Sequence, residues 1–190
     1  ASQRVADEEN LGGLDWHIVF VEMCDENYQV ALDRLSLRSG TRDGMASFTP
    51  RDLQRAEIYR LWGKDTRAKE RYESALKTIQ DKIKKEPEND RSHRFSSALG
   101  IAYAGLGLKQ QAIDEGKRGV ELAQKHGLIK RQREKDLAHI YAIIGEHDAA
   151  IDQIEILLKK PSVLSPMLEF DPAWKPLQEH PRFKQLAWEQ

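Results

Sequence analysis

Three stretches of this chain share one spacing. Residues 59–68 read YRLWGKDTRA, residues 103–112 read YAGLGLKQQA and residues 141–150 read YAIIGEHDAA. In each, Tyr is followed four positions on by Gly and nine positions on by Ala. Self-similarity of this kind marks a repeat architecture and fixes what each unit can be. In the middle unit Phe95, Leu99, Ala102, Tyr103 and Leu106 fall at helical spacing, so they share one face. Gly107 then breaks the helix where a left-handed residue is needed, a conformation that glycine takes without a steric penalty. A second helix is expected from Lys109 to about Lys125, with Ala112 at its closest approach to the first and Gly127 at its end. Tyr wedges between helices, Gly turns the chain, and Ala lets two helices touch.

The first unit opens on Thr49 as N-cap, Pro50 at the first helical position and Asp52 reaching back. Its helices are expected over 51–62 and 65–85, closed by Pro87 and the Glu-Asn-Asp that follows. The third unit is expected over 129–144 and 148–159, stopped by Pro161. Upstream, residues 14–37 read as a degenerate helical pair. Ala31 and Leu35 there take the places of Ala68 and Tyr72, but no Tyr or Gly matches the first half. Between them SLRSGTRDGMASF (36–48) reads as a loop. The expected organisation is an N-terminal pair with its loop (1–48), three repeats (49–88, 89–127 and 128–164) and a C-terminal cap (165–190).

Composition narrows the function. The 30 basic and 31 acidic residues leave a net charge of −1, which removes any whole-protein argument for nucleic acid or a membrane surface. A hydrophobic fraction of 39% suits a thin array in which each helix buries one stripe. The longest near-apolar stretch, Trp16 to Cys24, is about half the roughly 18 residues that span a bilayer, and it carries His17 and Glu22, so no membrane insertion is expected. A single cysteine, Cys24, allows neither an internal disulfide nor a thiolate metal site and reads as an inert buried thiol. The opening ASQRVADEEN has no Met and no secretory pattern, which reads as a processed chain or a piece of a longer protein.

No catalytic constellation emerges. The six histidines (17, 93, 126, 139, 147 and 180) form no His-Glu-x-x-His pattern and read as scattered surface or half-buried imidazoles. GIAYAGLG (100–107) follows no strand and precedes no Lys-Ser/Thr, so its glycines belong to the repeat. Asp148 and Asp152 stand one turn apart on a polar helix face. The expectation is no catalytic residue, no metal, no cofactor, and a protein that is not an enzyme. A basic run, Lys125, Lys130, Arg131, Arg133 and Lys135, reads as a solvated helix start or, with Arg91 and Arg94, as a basic entrance that docks an acidic segment.

These units resemble tetratricopeptide repeats. Ala56, Tyr59, Ala68, Tyr72 and Ala75 stand at that family's small and aromatic positions in the first unit, with Gly100, Tyr103, Ala112 and Gly119 in the second and Ala138, Tyr141 and Ala150 in the third. Gly116 and Leu157 depart from the pattern, and the spacings of 44 and 38 residues between the tyrosines exceed the family's period of about 34. The ending SPMLEFDPAWKPLQEHPRFKQL (165–186) is similar to the C-terminal stretch of many bacterial multidomain signalling and regulatory repeat proteins. It reads as two short helices opened by Asp171-Pro172 and Pro181, with Trp174, Leu177, Phe183 and Leu186 plugging the end of the stack.

The resemblance implies an all-α, right-handed superhelix of helical hairpins with a C-terminal capping segment, whose first helices line a concave groove. Its groove positions fall on Leu53, Glu57, Arg60 and Leu61, then Arg94, Ser97, Ile101, Ala104 and Gly105, then Gln132, Lys135, His139, Ala142 and Ile143. Peptide-binding residues are expected among Glu57, Arg60, Leu61, Arg94, Ser97, Ile101, Gln132, Lys135, His139 and Ile143, with the cations at the rim. The implied function is non-catalytic binding of a protein or peptide, as a scaffold or regulatory part of a larger bacterial signalling protein. The alternative is a peptide- or small-ligand-sensing module that switches an attached effector domain. The small residues Ala104 and Gly105 equally allow a helix of the same chain, LDWHIVFVEM (14–23), to fill the groove. A homodimer through the N-terminal pair is a further possibility. The expected location is cytoplasmic, with an extracytoplasmic one left open.

Overall fold

The computed structural model describes residues 16–37, 41–44, 47–86, 92–125, 127–159 and 168–188. The described chain is mostly helical. Helix α1 (16–24) and α2 (Tyr28–Ser36) are followed by two short strands, β1 (Arg42–Asp43) and β2 (Phe48–Thr49). Three helical pairs come next: α3 (Arg51–Leu61) with α4 (Asp65–Lys85), α5 (His93–Gly105) with α6 (Lys109–Leu122), and α7 (Gly127–Ile144) with α8 (His147–Leu158). A 3-10 turn, η1 (Pro172–Leu177), and α9 (Pro181–Trp188) complete it. No described helix is long and apolar enough to cross a membrane. The opening residues, the Pro87 stop and its Glu-Asn-Asp, His126, Pro161 and the first residues of the cap lie outside the described residues.

The repeated spacing is a ring of hydrogen bonds. The N–H groups of Lys64, Leu108 and Glu146 donate to the carbonyls of Tyr59, Tyr103 and Tyr141, each at 2.9 Å. The carbonyls of Lys64, Leu108 and Glu146 in turn accept from the N–H groups of Ala68, Ala112 and Ala150 at 2.9, 3.0 and 3.0 Å. This is the six-to-one bond of a helix C-terminus closed by a left-handed residue. Gly63, Gly107 and Gly145 hold that place with φ of 69°, 75° and 81°. The α1–α2 turn repeats the frame, since Asn27 N–H donates to Glu22 C=O at 2.8 Å and Ala31 N–H to Asn27 C=O at 3.0 Å. Glu26, with φ of 59°, stands where the others have glycine. A fourth copy of the turn is therefore present that the Tyr-Gly-Ala pattern does not reveal.

Packing follows from the same residues. Tyr59, Tyr103 and Tyr141 are half-buried, and each touches two successive core clusters, so each rings the seam between neighbouring units. Ala56, Ala112, Ala138 and Ala150 are fully buried. A Cβ at Gly116 would lie 2.8 Å from both Leu137 and Ile140 of α7, so the missing large side chain there makes room for the next unit. At the far end Trp174, Leu177 and Phe183 bury against Ala138, Ile151, Ile154 and Leu157. Asp171 caps η1 by accepting from Ala173 N–H at 3.0 Å. Arg182 fastens α9 to α8, donating to Asp148 at 3.3 Å and to Asp152 and Glu155 at 2.8 Å.

Four local expectations are corrected. Residues 42–43 and 48–49 form an antiparallel ladder, Arg42 facing Thr49 and Asp43 facing Phe48, inside the stretch read as loop. Two-residue strands carry no periodicity from which to infer them. The N-cap of α3 is Pro50 and not Thr49. Asp52 does not turn back on its own helix start; it accepts from Ser74 Oγ at 2.6 Å and so ties α3 to α4. Gly127 opens α7 and does not close α6, which ends at Leu122.

Candidate peptide-binding face

Helices α3, α5 and α7 are the first helices of the three pairs, and α5 packs against both of the others. Glu57, on α3, collects the polar groups of this face. Arg60 Nη2 lies 3.0 Å from its Oε2, and the Tyr72 hydroxyl of α4 donates to its Oε1. His139 Nε2 of α7 reaches the same Oε2 at 3.1 Å, off the line of a hydrogen bond. Burial drives the Glu57 carboxyl upward, but Arg60 and His139 outweigh it and hold the acid well below the usual carboxylate range. For Arg60 burial pulls the other way, and the Glu57 charge overcomes it to hold the cation firmly protonated. Burial, with the charge of Glu57 added to it, drives the Tyr72 hydroxyl well above its ordinary value. Glu57, Arg60 and His139 are thus brought together, and the charges of Glu57 and Arg60 satisfy each other.

The tyrosine of this cluster also settles what lies on the small residues of α5. A Cβ on Gly105 would sit 2.1 Å from Tyr72 Cζ, so the Tyr72 ring rests on the Gly105 backbone. Helix α1 instead packs Val19 and Met23 into one cluster with Tyr28, Ala31 and Ile58, against which Leu61 and Trp62 close. Leu61 is accordingly a contact between α3 and the N-terminal pair. Ile101 and Ile143 are half-buried around a common cluster of Ala104, Ala112, Ile140 and Ile144.

Arg94 is not a rim cation. Its side chain is 3% exposed, pairs with Asp43 of β1, donates to Gly44 C=O at 3.0 Å and meets Glu86 at 3.1 Å. Its guanidinium stacks 4.7 Å from the Phe95 ring centroid. Ser97 is buried too, with its hydroxyl 3.1 Å from the place a Cβ would take on Gly119 of α6. Three cations of the basic run are likewise paired within the chain: Lys130 with Glu134 at 3.6 Å, Arg133 with Asp136 at 3.0 Å and Lys135 with Asp171 at 2.8 Å. Arg131 donates to Leu157 C=O at 3.3 Å. Gln132, on an exposed position, donates to Asp136 at 3.0 Å. His93 is buried and not at the surface.

The two ends of the array also meet. Lys175 of η1 donates to Glu26 Oε1 at 2.7 Å and to the Tyr28 hydroxyl at 3.3 Å. Cys24, half-buried beside this junction, has its thiol pushed up by burial first and by Asp171 and Asp25 after it. A cavity of about 190 Å³ lies between β1–β2, α3, α5 and α7. Arg42, Leu53, Ile101, Gln132 and Asp136 are among its lining.

Sequence reasoning passed over Asp43, Phe48 and Asp136 as parts of this face, because two of them belong to strands too short to show a period. Among the described residues no group of three or more His, Cys, Asp or Glu side chains is arranged to hold a metal ion. Comparison with protein-family models, with curated proteins and with solved structures finds no match for the chain.

Proposed function

We propose that this chain is a non-catalytic, tetratricopeptide-like binding module that takes a protein or peptide segment on the inner face of α3, α5 and α7, as a scaffold or regulatory part of a larger signalling protein. One observation carries the reading. Three helical pairs joined by the same hydrogen-bonded turn set their first helices side by side, which is the arrangement that presents a continuous peptide-sized surface. The titratable groups on that surface are paired with one another and not aimed at a common reacting point, which favours binding over chemistry. The residual cavity favours a short inserted side chain or chain segment over a whole helix, whose diameter is about 10–12 Å.

The test uses exposed Gln132, at the mouth of the cavity. A random peptide library is selected on the wild-type chain, and each binder is re-measured on Gln132→Trp. The substitution fills the mouth without touching the core, so melting is unchanged while affinity falls by about tenfold or more, or roughly 1.4 kcal/mol. A selection that returns no binders, or binders indifferent to Gln132→Trp, removes the inner face as the binding surface.

A further inference from the structure

The strands β1 and β2 have no place in a purely helical array, yet they sit on its inner face with specific partners. Asp43 presents its carboxylate to Arg94 and, at 3.1 Å, to Lys82. Gly44 presents a carbonyl to the same guanidinium at 3.0 Å. Five residues after Asp43, Phe48 sets its ring edge-on to Phe95, with centroids 5.0 Å apart, and joins the cluster of Leu53 and Ala98. Extended backbone, an acid and an aromatic ring are therefore what this part of the face is built to receive.

Two facts separate this from ordinary loop packing. First, the charge balance needs the acid. Without Asp43, Glu86 is the one carboxylate left to Arg94 and Lys82 among the described residues, and Arg94 is too deeply buried to be left under-compensated without a large penalty. Second, the strands do not fill their seat. A cavity of about 190 Å³ stays open between them and the helices, with Ile101 of α5 and Gln132 of α7 in its lining.

We propose that β1–β2 is a built-in stand-in for the partner, and that the groove's external ligand is an extended peptide carrying a carboxylate and, about five residues later, an aromatic ring. This deepens the reading above and rests on it. The ligand replaces Asp43 on Arg94 and Lys82, replaces Phe48 on Phe95, and uses the open cavity for side chains that the strands do not supply.

The probe is an acetylated synthetic peptide with the sequence of residues 41–50, TRDGMASFTP. It is titrated into the full wild-type chain, into Asp43→Ala, and into Asp43→Ala/Phe48→Ala, with circular dichroism run in parallel on each. Asp43→Ala keeps Phe48 in the core and serves if the double variant loses its helix. The expected result is saturable binding to Asp43→Ala about tenfold tighter than to wild type, because a tethered competitor has been weakened. A control peptide with alanine for both the acid and the ring binds about tenfold more weakly than the probe. A folded Asp43→Ala chain that binds neither peptide, or both equally, overturns the proposal. So does reversible dimerisation of Asp43→Ala in place of peptide uptake, since the occupant is then a second copy. Library binders that Gln132→Trp abolishes but that lack the acid-to-ring spacing overturn this inference and leave the binding reading intact.

Discussion

Glu57 carries the most consequential choice made by a single side chain. An acid at the centre of a buried face would ordinarily be a liability, because desolvation favours its neutral form. Here one oxygen is held by Arg60 and His139 and the other by Tyr72, and the three come from α3, α7 and α4. The folded chain therefore binds the proton less readily than the unfolded chain, whose carboxyl keeps its ordinary value of about 4.5. Stability from this group is fully present above pH 4.5 and is lost as pH falls below it toward the lower folded value. Glu57→Gln removes that dependence. Urea midpoints measured from pH 6 down to pH 3 are expected to fall more steeply for wild type than for Glu57→Gln, although the variant starts lower by about 1–3 kcal/mol because Arg60 loses its partner. Parallel curves would mean that Glu57 is not ionised in the folded chain. Gln retains the size of Glu, so the comparison isolates charge.

Turns carry the fold at the level of elements, and they were also the part most legible beforehand. Tyr, Gly and Ala mark the ends of one hydrogen-bonded frame, so a threefold spacing in the sequence became three turns with the same bonds and a left-handed glycine in each. The fourth turn kept the frame and lost the letters: Glu22 stands for Tyr, because only its carbonyl is needed, and Glu26 stands for Gly at a strain of about 1–2 kcal/mol. That substitution erased the only residue whose conformation is readable from its name. Glu26→Gly is expected to raise stability by roughly 0.5–1.5 kcal/mol, less than the full strain because it also gives up the exposed contact with Lys175. Running the change in a Lys175→Ala background takes that contact out of both sides of the comparison. A urea midpoint unmoved or lowered there would show that the left-handed residue is not strained. The strands escaped for the opposite reason, since their residues are informative only through partners on other elements, such as Arg94, which lies 51 positions from Asp43.

Across the whole molecule, several side chains expected to line a groove are held by partners on other elements. A list of groove positions treats each side chain as pointing into open space; it cannot foresee that Tyr72 covers Gly105, that Asp43 covers Arg94, or that Asp171 takes Lys135. Those partners lie on other elements, and periodicity within a helix holds no record of them. The contact between the ends is the clearest case. Lys175 and Glu26 are 149 positions apart, and their meeting depends on how every helical pair between them packs on the next. A pair this exposed contributes about 1 kcal/mol at most, so it fastens an arrangement set by helix packing and does not create it. Lys175→Glu places two acids together and should loosen that closure while the repeat cores stay intact. Hydrogen exchange is expected to quicken at the amides of Asn27 and Ala31 in the α1–α2 turn, by about two- to fivefold, with amides of α5 unchanged. The double swap Glu26→Lys/Lys175→Glu should return the turn to its wild-type rate, and 1 M salt should shrink the difference, because the Debye length there is only about 3 Å. Equal exchange in the wild type and Lys175→Glu would mean that the ends of the array are positioned independently of one another.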